Sequence, residues 1–373
     1  MNQFKKACLM GSTILGFMVS PALADEMTIS NHDDHAHHNH HAEGHVHKGP
    51  LAPTNIMGDH THDKGEWMVS YRFKHMRMEG NRQGTSSISP EDIVSTVTNP
   101  NAPPPNLRVV PTEMDMDMHM LGAMYGVTDK LTLMAMAMYM TKEMDHITFA
   151  GMAGTARLGE FTTRSSGWGD TSLTGIYNVY ENDNINININ LGISAPTGSI
   201  KEEDTVLTPM NTTPRLRLPY AMQLGSGTWD ALPGITYTGH SGKWGWGAQY
   251  QATIRLESEN DQGYRWGNRH NLNLWGAYQL SDQWTVNAQI RGETMGKIKG
   301  SDAAITAPVQ TANPDNYGGE IVEVGAGFIY QPDLQSLKGL EIGVNLDAPV
   351  HQDLNGVQME RDWSISTAIT YRF

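Results

Sequence analysis

The sequence has almost no cysteine and, beyond its first residues, no long hydrophobic run. Its single cysteine in 373 residues is Cys8. Two lysines, an apolar stretch over 7–19 and an Ala-Leu-Ala site ending at Ala24 predict that residues 1–24 are a secretory signal peptide. The predicted mature chain, starting at Asp25, then has no disulfide and no thiolate metal site. No later segment approaches about 18 consecutive apolar residues, so no transmembrane helix is expected.

Basic residues are scarce relative to acidic ones. The chain has 26 lysines and arginines against 40 aspartates and glutamates, a formal charge of −14 that becomes −16 without the two lysines of the signal peptide. Such acidity argues against nucleic acid as a partner and suits cationic ligands or plain solubility. The mean hydropathy of −0.44 is polar. A polar average does not exclude a membrane β-barrel, because half of each strand faces a wet lumen.

From residue 66 onward, the sequence has twelve stretches in which apolar and polar residues alternate, and a turn or loop sequence separates each stretch from the next. This period of two predicts strands. They are expected near residues 67–78, 113–126, 130–145, 169–180, 184–196, 227–238, 244–256, 268–280, 283–294, 320–330, 339–350 and 362–373. A soluble sandwich also alternates, but strands of about 12 residues are long for a globular protein, where the average is nearer 5–6. The connections alternate between short and long, which is typical of periplasmic turns and external loops in outer-membrane proteins.

The end of the sequence favours the same fold. Phe373 closes a strand on which Tyr371 and Ile369 share its face, and a terminal aromatic residue resembles the assembly signal of bacterial outer-membrane barrels. We therefore predict an all-β fold, a transmembrane antiparallel β-barrel of about 12 strands over residues 66–373. It is expected in the bacterial outer membrane, with residues 25–65 forming a disordered tail in the periplasm.

Methionine is concentrated in one predicted hairpin, whose arms are joined by a turn over 126–130. On both arms the methionines occupy even positions and therefore share one face. They are Met114, Met116, Met118, Met120, Met124, Met134, Met136, Met138, Met140 and Met144. A register in which paired residue numbers sum to 258 keeps them together on one side of the hairpin. The other face, which includes Leu121, Leu133 and Tyr139, is predicted to face lipid.

Two interpretations of the methionine face remain open. Methionine is a flexible apolar filler, so these side chains would simply pack the lumen. Uncharged thioethers also bind Cu(I) or Ag(I) and have little affinity for hard ions. Same-face neighbours lie about 7 Å apart, so adjacent sites could pass a soft cation along. Met76 and Met78 would extend this face if the first two strands are neighbours.

Charged residues occupy the opposite face of the first arm. Asp115, Asp117 and His119 are expected to form an acidic ledge near the outer mouth, beyond the bilayer. Glu143 and Asp145 would face them from the second arm. A solvated rim that binds nothing is the simpler interpretation.

Histidine dominates the predicted tail, which holds ten of the sixteen histidines in the chain. They are His32, His35, His37, His38, His40, His41, His45, His47, His60 and His62. Their His-x-His spacing suits chelation, and neutral imidazole binds Cu(II), Zn(II) and Ni(II). The segment has no apolar periodicity, which predicts disorder and loose metal capture in the periplasm. A polar leader or an expression tag is the alternative.

Two short motifs resemble a known family. A Ser-Gly-Trp-Gly-Asp motif over 166–170 leads into one predicted strand, and an Ala-Pro-Thr-Gly-Ser motif over 195–199 ends the next. This pairing resembles the bacterial outer-membrane family named for the MetA pathway of phenol degradation, over about residues 67–373. The resemblance implies an outer-membrane channel fold, and the family name implies traffic in small aromatic molecules. It carries over no functional residues.

Taken together, these features predict an outer-membrane channel or transporter that handles transition-metal ions, with copper first. The alternatives are a channel for small apolar or aromatic molecules, and a structural or surface-binding barrel. No enzyme is expected, because no Ser/His/Asp cluster falls on one face and no phosphate-binding glycine loop is present. No cofactor is required, although copper ions could be bound. The expected partners are outer-membrane lipid and metal ions or small-molecule solutes.

Overall fold

The computed structural model describes residues 50–373, which form antiparallel strands with few helices. In chain order the strands are β1 (Trp67–Gly84), β2 (Ser86–Ser87), β3 (Val109–Thr128), β4 (Leu131–Phe149), β5 (Arg157–Trp168), β6 (Thr171–Glu181), β7 (Ile185–Ala195), β8 (Glu203–Thr205), β9 (Arg215–Arg217), β10 (Asp230–Ser241), β11 (Trp244–Arg255), β12 (Tyr264–Arg265), β13 (Arg269–Gln279), β14 (Trp284–Met295), β15 (Lys299–Gly300), β16 (Gly319–Tyr330) and β17 (Leu340–Arg372). The helices are α1 (Pro90–Thr96) and three 3-10 turns, Tyr220–Met222, Gln310–Ala312 and Gln335–Leu337. Among the described residues, no helix has the length and apolar character that crossing a membrane requires.

A continuous ladder closes the sheet into a barrel. It runs β1–β3–β4–β6–β7–β10–β11–β13–β14–β16–β17 and returns from β17 to β1. The last element is a hairpin: residues 342–354 pair with β16 and residues 354–372 pair with β1. Its arms meet where the Arg372 N–H donates to the Gly339 carbonyl at 3.1 Å. Counting both arms, the ring has twelve wall segments within residues 50–373, so the predicted barrel of about 12 strands is confirmed.

Alternation along each strand sorts side chains between the two faces of the wall. On β1, Trp67 is 44% exposed on the outside and the adjacent Met68 is 3% exposed on the inside. The outer surface is a band of large apolar and aromatic side chains, as a lipid-facing surface requires. Buried polar residues such as Asn188, Gln249 and Asn345 lie on the inner face.

Two predicted connections are in fact strand. Strand β5 occupies much of the predicted loop 146–168 and pairs with the outer half of β4, and residues 351–361 lie within β17. Strands β1 and β3 also run past their predicted ends. Strand β5, the end of β1 and residues 351–361 carry polar and charged residues on their outward face, so the apolar alternation that marks a membrane strand is missing. The start of β3 differs: Val109, Val110 and Pro111 are all buried, so no alternation marks this stretch either.

The methionine hairpin has the predicted register. In the β3–β4 ladder Met124 pairs with Met134, Met118 with Met140, and Met114 with Met144. On the other face Leu121 and Leu133 are exposed on the lipid side. The prediction that the thioethers share the inner wall is therefore confirmed.

The first described residues lie inside the barrel. The segment 50–66, called here the inner plug, has no regular secondary structure and forms hydrogen bonds with lumen side chains of β4, β7, β11 and β17. The sequence analysis assigned residues 50–65 to a disordered tail, and that part of the prediction is wrong. A segment without periodicity can still be ordered when buried polar partners on distant strands satisfy its backbone.

The other end of the barrel is covered by the long connections. Helix α1 packs Ile93 and Val94 against Leu107, Phe149 and Val357. A second cluster joins Tyr220, Tyr264 and Tyr317 with residues of the 295–319 connection. The 197–226 connection enters this end of the lumen. Its residues 218–224 are called here the outer plug.

Candidate functional site

The lumen is lined on one side by methionine. Thirteen inward-facing methionines on β1, β3 and β4 form what is called here the methionine wall. They are Met68, Met76, Met78, Met114, Met116, Met118, Met120, Met124, Met134, Met136, Met138, Met140 and Met144. The sequence analysis anticipated the extension onto β1, and the pairing of β1 with β3 confirms it.

Rows of methionine cross the wall at both of its ends. At the inner end Met68 pairs with Met124, which pairs with Met134. At the outer end Met78 pairs with Met114, which pairs with Met144. Directly opposed residues in antiparallel strands have Cβ atoms about 5 Å apart, so thioethers within a row touch. The middle of the wall, including Met116, Met118, Met120 and Met138, is only half-buried.

The lumen also has a charged region, which adjoins the methionine wall where Arg361 pairs with Met78. Arg269, Arg291, Glu293, Glu323 and Arg361, on β13, β14, β16 and β17, form what is called here the charged wall. Arg361 Nη2 donates to Glu293 Oε1 at 2.5 Å, and Arg291 bonds to Glu323. Arg361 also reaches Glu323 at 3.5 Å, and Arg269 lies 3.9 Å from Glu293. Each carboxylate is thus shared by two guanidinium groups, which offsets the cost of taking these charges out of bulk water.

The inner plug is fastened along its length. Thr54 donates to Asn345 Oδ1 through its N–H (3.1 Å) and its hydroxyl (2.9 Å). Gln249 Nε2 donates to the Met57 carbonyl at 2.7 Å, and Asn190 Nδ2 to the Gly58 carbonyl at 3.2 Å. These bonds all use lumen-facing amides, so the polar interior positions serve to seat the plug.

His62 anchors the end of the inner plug. Its N–H donates to Thr132 Oγ1 at 2.8 Å, and its Nδ1 lies 2.9 Å from Glu66 Oε2. The side chain is almost fully buried. Burial, reinforced by the neighbouring His60, lowers the pKa of His62 to about 4 although Glu66 opposes the shift. The ring is therefore neutral at pH 7, where it fits its site without charge.

A vestibule opens at the inner end of the lumen. Its volume is about 370 Å³. Acidic side chains from the inner plug and the short turns dominate its charged lining, together with His60, His240 and Arg372. These acidic residues are Asp59, Asp63, Glu66, Asp129, Glu181 and Asp183. This mouth therefore presents mainly negative charge to an arriving solute.

The outer plug is clamped to the methionine wall. Lys142 Nζ, buried among the methionines, donates to the carbonyls of Ala221 (2.9 Å) and Gln223 (2.6 Å). The Ser165 hydroxyl donates to the Met222 carbonyl at 2.7 Å. Leu218 and Met222 are fully buried against Met114, Met144 and Met359. The lumen is thus closed by a plug at each end of the methionine wall.

The two sequence motifs meet at the base of the outer plug. Asp170, which ends the first motif, accepts the N–H groups of Gly198 (3.0 Å) and Ser226 (2.8 Å) through its carboxylate. Gly198 lies against Gly225 so closely that a Cβ on it would be 2.7 Å from the Gly225 Cα. The motifs therefore hold the connection 197–226 in place, which is a structural role.

The predicted acidic ledge lies outside the lumen, on the outer face of the wall. Asp117 lies 2.8 Å from His75 Nδ1, and Asp115 lies 3.3 Å from Arg77. His119 Nδ1 lies 2.8 Å from the Tyr71 hydroxyl, among the outward aromatic residues. Each of these groups has a partner on β1, so they form an exposed network beside the membrane boundary. They do not face the methionine wall.

Two of the predicted histidine ligands lie close together in the described residues: the ring centroids of His60 and His62 are 5.0 Å apart. His32, His35, His37, His38, His40, His41, His45 and His47 fall outside the described residues, whereas His60 and His62 belong to the inner plug. Across residues 50–373 no group of three His, Cys, Asp or Glu side chains is arranged to hold a metal ion. Sequence reasoning missed Met57, Met222 and Met359, which join the methionine wall. Their isolated positions carry no pattern that could have indicated this.

A closed antiparallel barrel with an apolar outer band and a plugged, partly charged lumen defines a bacterial outer-membrane protein of the channel type. The chain belongs to the family described as "Putative MetA-pathway of phenol degradation", whose model matches residues 143–360, more than half of the chain. The suspected family is thereby confirmed. Comparison with curated proteins gives no match.

Similar solved structures share the fold at low sequence identity. An outer membrane channel from Pseudomonas putida F1 is 14% identical, with 87% of this chain and 100% of that chain covered and a TM-score of 0.54. A Pseudomonas aeruginosa FadL homologue is 10% identical, with coverage of 82% and 90% and a TM-score of 0.43. The P. putida toluene transporter TodX is 10% identical, with coverage of 83% and 89% and a TM-score of 0.39. At these identities the likeness concerns the fold.

Proposed function

We propose that this protein is an outer-membrane channel for small apolar or aromatic molecules. The observation that carries the proposal is the methionine wall, a largely apolar surface, interrupted by Arg72, Lys74 and Lys142, that runs between the two plugs inside a closed barrel. Barrel lumens are ordinarily polar, so an apolar wall needs a reason. Unbranched thioether side chains adapt to solutes of different shape. The family description, which names phenol degradation, supports the same class of solute.

Passage requires both plugs to yield. The inner plug is held by hydrogen bonds to lumen amides, and the outer plug by Lys142 and Ser165. Each such bond contributes only about 1 kcal/mol net, so a segment held by a few of them can detach transiently. A solute would then move along the methionine wall, while the charged wall stays fixed by its ion pairs. Flux in this scheme runs down a concentration gradient.

A second candidate is passage of soft metal ions, copper above all. The specific observation in its favour is that the predicted thioethers all face the lumen, in rows spaced for transfer between neighbours. In this scheme the histidines of residues 25–49 would gather metal ions in the periplasm. The methionine wall thus has two candidate solutes, apolar molecules and soft metal ions. Substitutions that remove either sulfur or apolarity can distinguish them.

The separating experiment replaces Met116, Met118, Met138 and Met140 with Leu in one variant and with Gln in another. Leu keeps volume and apolarity but removes sulfur, whereas Gln keeps length but is polar. Uptake of a radiolabelled apolar aromatic, and cellular silver and copper, are measured in a Gram-negative host. A channel for apolar solutes predicts wild-type aromatic uptake with Leu and reduced uptake with Gln. Aromatic uptake that is unchanged by Gln, or that does not depend on the protein at all, would overturn the proposal.

The metal candidate makes the opposite prediction for the Leu variant. Loss of the four sulfur atoms should reduce silver and copper flux while leaving aromatic uptake intact. Equal metal flux in wild type and the Leu variant would exclude a thioether path. Folding of every variant is checked by heat-modifiable migration on gels, because a misfolded barrel would lower both fluxes together.

A further inference from the structure

Five methionines meet where the inner plug touches the barrel wall. Met68 of β1, Met124 of β3 and Met134 of β4 are buried together with Ile176, and Met57 and Met136 pack against them. This set of five methionines is called here the inner methionine cluster. Four of its members belong to the wall, and the fifth, Met57, belongs to the inner plug, ten residues before the start of β1 at Trp67. The inner plug and the methionine wall thus both contribute methionine side chains to this contact.

Register explains how the cluster forms. Met68, Met124 and Met134 are direct neighbours in a single row across three strands. Met136 lies two residues beyond Met134 and pairs with Gly122. Gly122 has no side chain to fill the space beside Met136. Met57 is held above the row because Gln249 fixes its carbonyl. The sulfur atoms of four strand methionines and one plug methionine are therefore concentrated around a common point.

A small cavity adjoins this point. The five methionines of the cluster line it, and Asp59, His60 and Arg72 line it as well. Its volume is about 10 Å³. That is room for about one water-sized particle, so an aromatic solute cannot enter it. A single metal ion is of the right size.

Thioether sulfur selects among metal ions. It is a soft, uncharged ligand that favours Cu(I), whereas hard cations prefer oxygen and Zn(II) prefers thiolate or imidazole. We infer that the inner methionine cluster binds one soft monovalent cation, Cu(I) or Ag(I), and that the bound ion fastens the inner plug to the wall through Met57. This inference goes beyond the proposed function, because passage of an apolar solute does not depend on a bound ion.

Packing alone is the competing explanation. Buried Leu or Ile would fill the same space with better-defined rotamers, and methionine is no favourite of strands. The molecule contains its own comparator. Met78, Met114, Met144, Met222 and Met359 form the outer methionine cluster, packed against Leu218, and it too includes one plug residue, Met222.

The test uses the full chain in detergent micelles, labelled with 13C at the methionine methyls, and Ag(I) as a redox-stable probe. Met57→Leu removes one candidate ligand, and Met222→Leu is the matched control at the other plug. In wild type, the first equivalent of Ag(I) that reaches the barrel should shift the methyl signals of the inner methionine cluster together, and Zn(II) should not. Met57→Leu should weaken that response by about tenfold or more, in the range typical of disturbed metal sites. Met222→Leu should leave it unchanged.

The histidine tail could compete for silver, so the signals of the cluster itself are the readout, not total binding. Absence of any shift in the five methyls at Ag(I) excess would overturn the inference. So would an equal response in wild type and Met57→Leu. Protease cleavage within residues 50–66 supplies a second readout, since Ag(I) should slow it in wild type and not in Met57→Leu. Aromatic uptake by Met57→Leu is measured separately, so that failure of the metal site and failure of the channel are distinguishable.

Discussion

The methionine wall and the charged wall belong to the same sheet but differ in the chemistry of their inward-facing side chains. The methionine wall, on β1, β3 and β4, presents flexible apolar side chains that pack without direction. The charged wall, on β13, β14, β16 and β17, presents arginine and glutamate in pairs that tolerate little displacement. The same alternation rule turns both sets inward. The difference teaches that strand period fixes only which residues face the lumen, whereas residue chemistry decides which side can yield to a solute.

The two plugs also differ in the walls that they contact. The outer plug rests on the methionine wall at Lys142, and the inner plug spans from Asn345 near the charged wall to Met57 at the methionine wall. A segment resting on adaptable side chains can move without breaking ion pairs. We therefore expect the charged wall to carry barrel stability and the methionine wall to carry passage.

The largest effect should come from breaking the charged wall. Glu293→Ala removes the carboxylate shared by Arg361 and Arg269, and its side chain is only 12% exposed. Removing the carboxylate partner of Arg269 and leaving Arg361 with Glu323 alone should lower the free energy of unfolding by about 3–5 kcal/mol. Met138→Leu on the methionine wall should cost less than about 1.5 kcal/mol. Urea unfolding of both variants in lipid vesicles measures the contrast, and equal losses would contradict it.

Lys142, the cation of the methionine wall that contacts the outer plug, should matter for the seating of that plug. Lys142→Met keeps the shape of the side chain but removes the donor to the Ala221 and Gln223 carbonyls. Loss of these charge-assisted bonds should weaken seating of the plug by about 2–3 kcal/mol. Single-channel recordings should show a larger or more frequent open conductance. Ser165→Ala, which loses one neutral bond to the Met222 carbonyl, should show a smaller change; a Lys142→Met channel as quiet as wild type would refute the clamp.

Acid should loosen the inner plug. Burial lowers the pKa of His62 to about 4, while a solvated histidine titrates near 6.5. The stabilisation is therefore present above pH 6.5 and is lost as the pH falls towards 4, because only the released plug takes up the proton. The loss should reach about 2 kcal/mol by pH 5.

Protease cleavage within the inner plug, followed from pH 7.5 to pH 4.5, measures that loss. Glu66, His60 and Arg372 are the charged or titratable groups that act on His62, and their own response is the background. His62→Gln retains that background and lacks the histidine. The same pH profile in wild type and His62→Gln would show that another group controls the plug.

The smallest effect should come from charges on the outer face. Asp117→Asn breaks the contact with His75, but both side chains are substantially exposed, at 42% and 25%. Exposed ion pairs contribute about 0–1 kcal/mol, so stability should change by less than that. Urea unfolding gives the number. A loss comparable to that of Glu293→Ala would mean that the inner and outer charges do not differ as proposed.

Much of the wall could be predicted from the sequence. Alternation located the strands, and the even spacing of Met114 to Met144 gave both the register and the face. Prediction failed where the membrane no longer imposes alternation, as in β5 and the middle of β17. The inner plug was missed because residues 50–66 have no period, and their order depends on amides such as Asn190 and Asn345 far along the chain.

The residues of the candidate site were also predicted only in part. The methionines of β3 and β4 were predicted as ligands from their pattern, and the histidines from their spacing. Met57, Met222 and Met359 were not, since each stands alone in its segment. The acidic ledge lies on the face opposite to the methionines, as predicted, and its position beyond the bilayer stays a prediction.

The sequence by itself determined that a closed sheet would cross a membrane with its methionines turned inward, because a period of two is a local property of extended backbone. Only the tertiary structure decided that two irregular segments would enter the lumen and complete the methionine rows. That decision rests on hydrogen bonds and contacts between residues far apart in the chain, and no local pattern encodes them.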